Sequence, residues 1–201
     1  QRVAALEGGV SCVATSSGMG ALFMAVMSLT SAGDHVLVSS QMYGAAINLL
    51  EHTMKRYGVS ATFVPPNDLD AIRAGIQPNT KFFFGEIIGN PGLNILDVPA
   101  VAEICREAHI PLMVDCTFNT PYLLKPFQHG ANIVVHSLTK WMGGHGIAIA
   151  GALVDGGNFD WTSGRFDNFT TPDPSYNGLV YADLGAPAFI LKARVQILRD
   201  I

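Results

Sequence analysis

Residues 11–39 read SCVATSSGMGALFMAVMSLTSAGDHVLVS. Ser11–Thr15 is a short β-type run, Gly18–Leu29 carries a helical pattern that ends near Gly33, and His35–Ser39 is a second strand. The unit is strand, helix, strand, and its strands are apolar without alternation, as strands buried on both faces are. The pattern continues outward. Tyr43–Tyr57 places Ile47, Leu50 and Met54 on one helical face, and Ser60–Val64 is a strand stopped by Pro65-Pro66. A short helix over Asp68–Ala74, capped by Asn67, leads to a strand at Lys81–Ile87. A helix over Asp97–Ala108 precedes strands at Pro111–Asp115, Asn132–His136 and Ile147–Val154. Such alternation predicts a three-layer α/β/α fold around a mostly parallel sheet. Gly156–Gly185, rich in Gly, Pro, Asn and aromatics, reads as ordered loop. Ile190, Leu191, Val195 and Leu198 then recur at helical spacing up to Ile201, so the chain reads as a fragment cut inside a helix.

Composition narrows the function. Of 201 residues, 49% are hydrophobic and 14% charged, which excludes a disordered chain. The net charge of -4 with no basic run argues against nucleic-acid binding. No stretch approaches a membrane span of roughly 18 apolar residues, and no signal-peptide core is present. Three widely spaced cysteines, Cys12, Cys105 and Cys116, argue against a disulfide scaffold and for a reducing, cytoplasmic setting. The six histidines form no HExxH and the cysteines no CxxC, so no metal site is expected. No Gly-x-Ser-x-Gly elbow supports a hydrolase triad.

Ligands of open α/β sheets bind at the carboxyl ends of the strands. Polar residues gather there: Ser16-Ser17-Gly18-Met19, Gln41-Met42-Tyr43-Gly44, Glu86 with Asn90-Pro91, Asp115-Cys116-Thr117, and His136-Ser137-Leu138-Thr139-Lys140. Ser16–Gly20 reads equally as a helix cap with a tight turn or as an anion site of bare amides. Gly18-Met19-Gly20 also resembles a dinucleotide fingerprint. Phe23 in place of its third glycine, and Ser39-Ser40 in place of an acid, weaken a nicotinamide reading. Lys140 lies between two apolar strands, where partial desolvation would make it a nucleophile for carbonyls. Asp115 ends an apolar strand; it either caps a turn or pairs with a cationic ring nitrogen. Tyr43 is either core packing or a platform for a flat ring.

A carbonyl-binding lysine, an aspartate for a pyridinium nitrogen and a phosphate cradle are together what pyridoxal 5'-phosphate requires. The order and spacing of the quoted segments, with Gly143-Gly144-His145-Gly146 after the lysine, resemble the Cys/Met-metabolism family of fold-type I pyridoxal-phosphate enzymes. Residues 154–161 and 192–200 resemble its O-acetylhomoserine sulfhydrylase branch. The resemblance implies that residues 1–201 are the large, aspartate-aminotransferase-like cofactor domain of a longer enzyme.

It also implies roles. Lys140 would carry the cofactor and shuttle protons, and Asp115 would keep the pyridine nitrogen protonated. The amides of Gly18 and Met19, with the hydroxyls of Ser137 and Thr139, would hold the phosphate. Tyr43 would stack on the ring near the leaving group, Asn90 would bond the ring hydroxyl, and Thr117 would pack beside the ring. The implied activity is γ-replacement, in which sulfide or a thiol displaces acetate from O-acetyl-L-homoserine to give homocysteine or methionine. The alternatives are a cystathionine γ-synthase, a methionine γ-lyase and an inactive cofactor-binding remnant. The family habit implies a homo-oligomer, a dimer of dimers that shares its active sites.

Overall fold

The computed structural model describes residues 1–200. Seven strands form one sheet: β1 (Ser11–Thr15), β2 (His35–Ser39), β3 (Ser60–Val64), β4 (Thr80–Glu86), β5 (Leu112–Asp115), β6 (Ile133–Ser137) and β7 (Gly151–Asp155). Their order is β1-β7-β6-β5-β4-β2-β3. Strands β6, β5, β4, β2 and β3 pair in parallel, while β7 is antiparallel to both β1 and β6. Parallel strands need a long crossover, usually a helix. Residues 138–150 contain no helix, so the chain folds straight back and β7 runs the other way.

Successive strand residues feed opposite layers. Phe82, Phe84, Met113, Ile133, Val135 and Leu153 pack on one face, with α2 (Gly18–Leu29) and the helix that opens with α3 (Gly44–Asn48). Phe83, Leu112, Val114, Val134 and Val154 pack on the other, with α1 (Arg2–Glu7), α4 (Leu69–Gly75) and α5 (Val98–Glu107). Both faces are covered, which is why the strands show no polar alternation in the sequence.

Four local readings need correction. The cap of α4 is Asp68, whose Oδ1 accepts the Ala71 N–H at 2.9 Å, and not Asn67. The helix after Tyr43 is α-helical only to Asn48, then turns through a π segment (Leu49–Thr53) and a 3-10 turn (Met54–Tyr57). The last strand starts at Gly151, four residues later than the apolar run suggested. Its ladder with β6 begins at the Ser137–Gly151 pair, and Ile147 and Ile149 stand 87% and 74% exposed at the sheet's end. Residues 156–185 contain short helical turns at Asp167–Thr170, Pro174–Tyr176 and Tyr181–Leu184. Trp161 anchors them, stacked on Phe169 with centroids 4.2 Å apart. The helical spacing at the C-terminus is realised over Ala188–Lys192 and Ala193–Arg199. Asp155, buried at the end of β7, ties that helix down by accepting the Ile190 N–H at 3.1 Å.

Candidate active site

The carboxyl ends of the parallel strands open into a cleft of about 400 Å³. Gly18, Met19, Tyr43, Asn90, Asp115, Thr117, Ser137, Thr139 and Lys140 all line it. A wider cleft of about 580 Å³ holds none of them; it lies beside His109, Ile110 and Asn132, which precede β5 and β6 at the other end of the sheet.

One wall of the cleft is the start of α2. The first N–H groups of a helix lack intrahelical acceptors. Ser17 caps the helix, its Oγ accepting the Gly20 N–H at 3.0 Å, which leaves the amides of Gly18 and Met19 beside the cleft. Gly18 also lets the helix touch β6, because a Cβ there would sit 2.7 Å from Ser137 Cβ. Gly151 does the same from β7, where a Cβ would fall 2.0 Å from the Ser17 carbonyl oxygen. Two glycines thus bring the helix amides and the Ser137 hydroxyl to one place. Thr139 differs from expectation. Its hydroxyl donates to the Ala150 carbonyl at 3.2 Å and accepts the Ala150 N–H at 3.1 Å, so it braces the loop between β6 and β7.

Asp115 ends β5, and its Oδ1 accepts the Thr117 N–H at 2.8 Å. Burial pushes its carboxyl above the usual range, opposed by the bonds from Thr117 and by the His136 imidazole. Thr117 Oγ1 accepts the Ser137 N–H at 2.8 Å and so joins the ends of β5 and β6. Glu86, at the end of β4, is buried and accepts the Tyr43 N–H at 2.7 Å, which holds the first residue before α3 over the cleft. Its other oxygen, Oε2, is buried without a partner. Burial, with the Asp115 charge adding to it, raises Glu86 to about 7.

Lys140 is a second departure. It is exposed in this chain, so the desolvation expected from its flanking strands is not supplied: residues 143–149, which follow it, are themselves exposed. Beside it stand residues that sequence reasoning did not pick out. Phe118 and Trp141 lie with ring centroids 6.3 Å apart, and Ile149 closes the same side. Ser17, Leu22, Ala46 and Phe84 complete the lining. Chain adjacency could have found Phe118 and Trp141; Ser17 lies in the strand-end segment already read as a helix cap. Ile149 had no such signal, because it reads as strand.

A pH prediction follows from Glu86. Its folded-state value lies above that of an ordinary glutamate, so its contribution to stability is full below about pH 4.5 and is lost as pH rises through about 7. In Glu86→Gln the Tyr43 N–H keeps its acceptor and the titration disappears. Urea unfolding between pH 4.5 and 8 should show the wild type losing stability relative to the variant. Asp155, also raised, to about 6, contributes equally to both proteins. Parallel curves would rule this reading of Glu86 out.

Residues 1–173 match the family model described as Cys/Met metabolism PLP-dependent enzyme. The chain belongs to that family. O-acetyl-L-homoserine sulfhydrylase of Leptospira meyeri is 46% identical over 210 residues, covering 100% of this chain and 48% of that protein. The enzyme of the same name from Corynebacterium glutamicum is 48% identical over 205 residues, covering 99% of this chain and 47% of its own length. Among solved structures, a Campylobacter jejuni protein described as an O-acetylhomoserine (thiol)-lyase superposes with a TM-score of 0.96 at 38% identity. It covers all of this chain and 50% of its own, and it carries N'-pyridoxyl-lysine-5'-monophosphate. O-acetylhomoserine sulfhydrylase of Wolinella succinogenes superposes at 0.85 with 34% identity, over all of this chain and 55% of its own. The chain therefore spans about half the length of the curated relatives it matches. The family's cofactor suits the residues present: free helix amides beside a serine hydroxyl for a phosphate, a half-buried carboxylate for a ring nitrogen, and an amine across the cleft.

Proposed function

We propose that residues 1–201 are the large cofactor domain of a pyridoxal-phosphate-dependent transferase. The enzyme exchanges the acetate of O-acetyl-L-homoserine for sulfide or a thiol. Sulfide gives homocysteine and acetate; methanethiol gives methionine. The observation that carries this reading is the meeting, in one cleft, of the Gly18 and Met19 amides, Ser137, Asp115, Tyr43 and Lys140. The names of the relatives support the choice of substrate.

When bound, the cofactor supplies an electron sink next to the substrate's α-carbon. The chain's own groups do the rest. The Gly18 and Met19 amides and the Ser137 hydroxyl hold the phosphate at the helix start. Thr139, committed to Ala150, orients the loop around that site and reaches the phosphate only by giving up its bond to the Ala150 carbonyl. Asp115 would accept a hydrogen bond from the ring nitrogen, with Thr117 fixing the carboxylate. Tyr43, steered by Glu86, would cover the ring, and Asn90 would bond its hydroxyl. Lys140 would hold the cofactor through its amine and would move the substrate's α-proton. Holding these partners in place converts binding energy into orientation.

The family habit of a dimer of dimers fits the exposed apolar side chains Tyr43, Trp141 and Ile149 in the lining of this cleft. We read these side chains as subunit contact, testable by the solution mass. The free state of Cys12, Cys105 and Cys116 supports a reducing, cytoplasmic setting. Among the described residues, no helix is long and apolar enough to cross a membrane, and no His/Cys/Asp/Glu group of three could hold a metal.

Borohydride reduction of the intact protein, followed by peptide mass analysis, should place a pyridoxyl group on Lys140; an unmodified Lys140 would sink the reading. Turnover of O-acetyl-L-homoserine with sulfide, with cysteine and alone then separates the sulfhydrylase from a γ-synthase and a γ-lyase. No turnover in any arm would leave a cofactor-binding remnant.

A further inference from the structure

Behind the cleft, on the opposite face of the sheet, two ionisable side chains meet in the interior. Glu7 is the last residue of α1, and His136 is the next-to-last residue of β6. Neither side chain exposes any surface, and His136 Nε2 and Glu7 Oε1 share a hydrogen bond. That bond occupies one atom of each group. Glu7 Oε2 and His136 Nδ1 are buried with no hydrogen-bond partner.

Packing does not account for this arrangement. Of the six residues of α1, only Ala4 and Glu7 are buried, so a carboxylate anchors the helix where a leucine would serve. Replacing a buried ion pair with well-packed apolar side chains is often neutral or stabilising. A buried polar pair with two unmet atoms therefore points to a role for its charge.

The neighbours indicate the role. Val135, one residue before His136, is in register with Asp115. Strand residues alternate between faces. His136 thus lies behind the sheet, next to the carboxylate that faces the cleft. The groups acting at this spot are Glu7 from α1, Asp115 and Cys116 from the end of β5, and Glu86 from β4, which is in register with Asp115 and sets a second carboxyl beside it. The Cys116 thiol is held well above its usual range by burial and stays neutral. A protonated imidazole would be the one positive group of this set, and its field would favour an ionised Asp115 against the burial that pushes that carboxyl up.

We propose that Glu7 and His136 are positioning residues of the cofactor site: Glu7 holds the imidazole behind the sheet as a cation, and that cation keeps Asp115 ionised. The inference rests on the reading of Asp115 as the partner of the cofactor's ring nitrogen. It gives the N-terminal helix a part in a site that it never touches.

The test uses the intact protein with pyridoxal phosphate. Equilibrium dialysis gives the cofactor affinity, and the visible absorption of the lysine-bound cofactor is followed against pH. Glu7→Gln should weaken cofactor binding about tenfold and move the absorption profile by about one pH unit. Far-UV circular dichroism and melting of the cofactor-free protein should stay near wild type. The double variant Glu7→Gln with His136→Gln keeps a neutral hydrogen-bonded pair. It should fold and should restore neither reading. Restoration of wild-type affinity and spectrum in the double variant would show a packing role only and overturn the inference. An unchanged affinity and spectrum in Glu7→Gln would overturn it too. If Glu7→Gln does not fold, the double variant carries the comparison. Nitrogen-15 NMR of the wild type adds a variant-free arm, in which a neutral His136 at pH 7 overturns the inference. Asp115→Asn separates the two layers. If it loses affinity while Glu7→Gln does not, only this inference falls. If it binds like wild type, the reading of Asp115 falls as well.

Discussion

Replacing Lys140 with alanine is expected to lower turnover of O-acetyl-L-homoserine by at least about 10³-fold, with the fold unchanged. The two parts of that expectation have different origins. Lys140 is exposed and its side chain enters no ion pair among the described residues, so its loss removes no packing. Exposed substitutions of this kind usually change stability by less than about 0.5 kcal/mol. Under the proposed function, the amine is both the covalent anchor and the mover of the α-proton. Proton transfer by a positioned group is by itself worth roughly 10²–10⁴-fold, and the covalent role adds to that. Borohydride should then fix no cofactor, although the phosphate site is intact. A Lys140→Ala protein with turnover within tenfold of wild type, measured after dialysis against free cofactor and amines, would end the proposal.

Gly18→Val is expected to do the reverse, sparing the lysine while emptying the phosphate site. A Cβ at position 18 would come 2.7 Å from Ser137 Cβ and 2.9 Å from its Cα. The obstacle is the backbone at the end of β6, which cannot rotate away as a long side chain can. Either the helix start or the strand end must shift. Overpacking of this kind costs about 1–3 kcal/mol. Because the displaced groups are the ones proposed to hold the phosphate, the cost falls on the bound state, as a loss of affinity of roughly 5- to 150-fold. Equilibrium dialysis of the variant against pyridoxal phosphate measures it. Gly20→Ala is the internal control: its Cβ would approach Ser17 Oγ at 3.3 Å, the mobile end of a short side chain. Equal losses in the two variants would show that the helix tolerates no side chain there for reasons unrelated to Ser137.

Much of the site was legible before the structure because strand ends are short and polar against apolar strands. Gly18, Asp115, Ser137 and Lys140 each follow or close such a run, and the sheet brings them together. Legibility failed where local pattern and tertiary environment separate. Ile147 and Ile149 look like strand because isoleucine favours strands, yet both stand exposed, Ile149 in the lining of the cleft. Asn67 and Asp68 are both good caps, and only the backbone at Asp68 presents the side chain to Ala71. Thr139 resembles a phosphate donor in the motif, but whether its hydroxyl is free depends on Ala150, eleven residues away.

Local pattern was enough for the layers, the sheet's mostly parallel character and the strand-end residues that meet in the cleft. Each of these follows from periodicity or from chemistry at a strand end, which are local properties of the chain. Tertiary structure alone decided the reversal of β7, the exposure of Lys140, the bracing role of Thr139 and the pairing of Glu7 with His136. These depend on contacts between segments far apart in the chain. Glu7 and His136 show the difference most plainly: read singly, an acidic residue before Gly8-Gly9 and a histidine before a polar turn suggest surface, and only the sheet's second layer removes both from water.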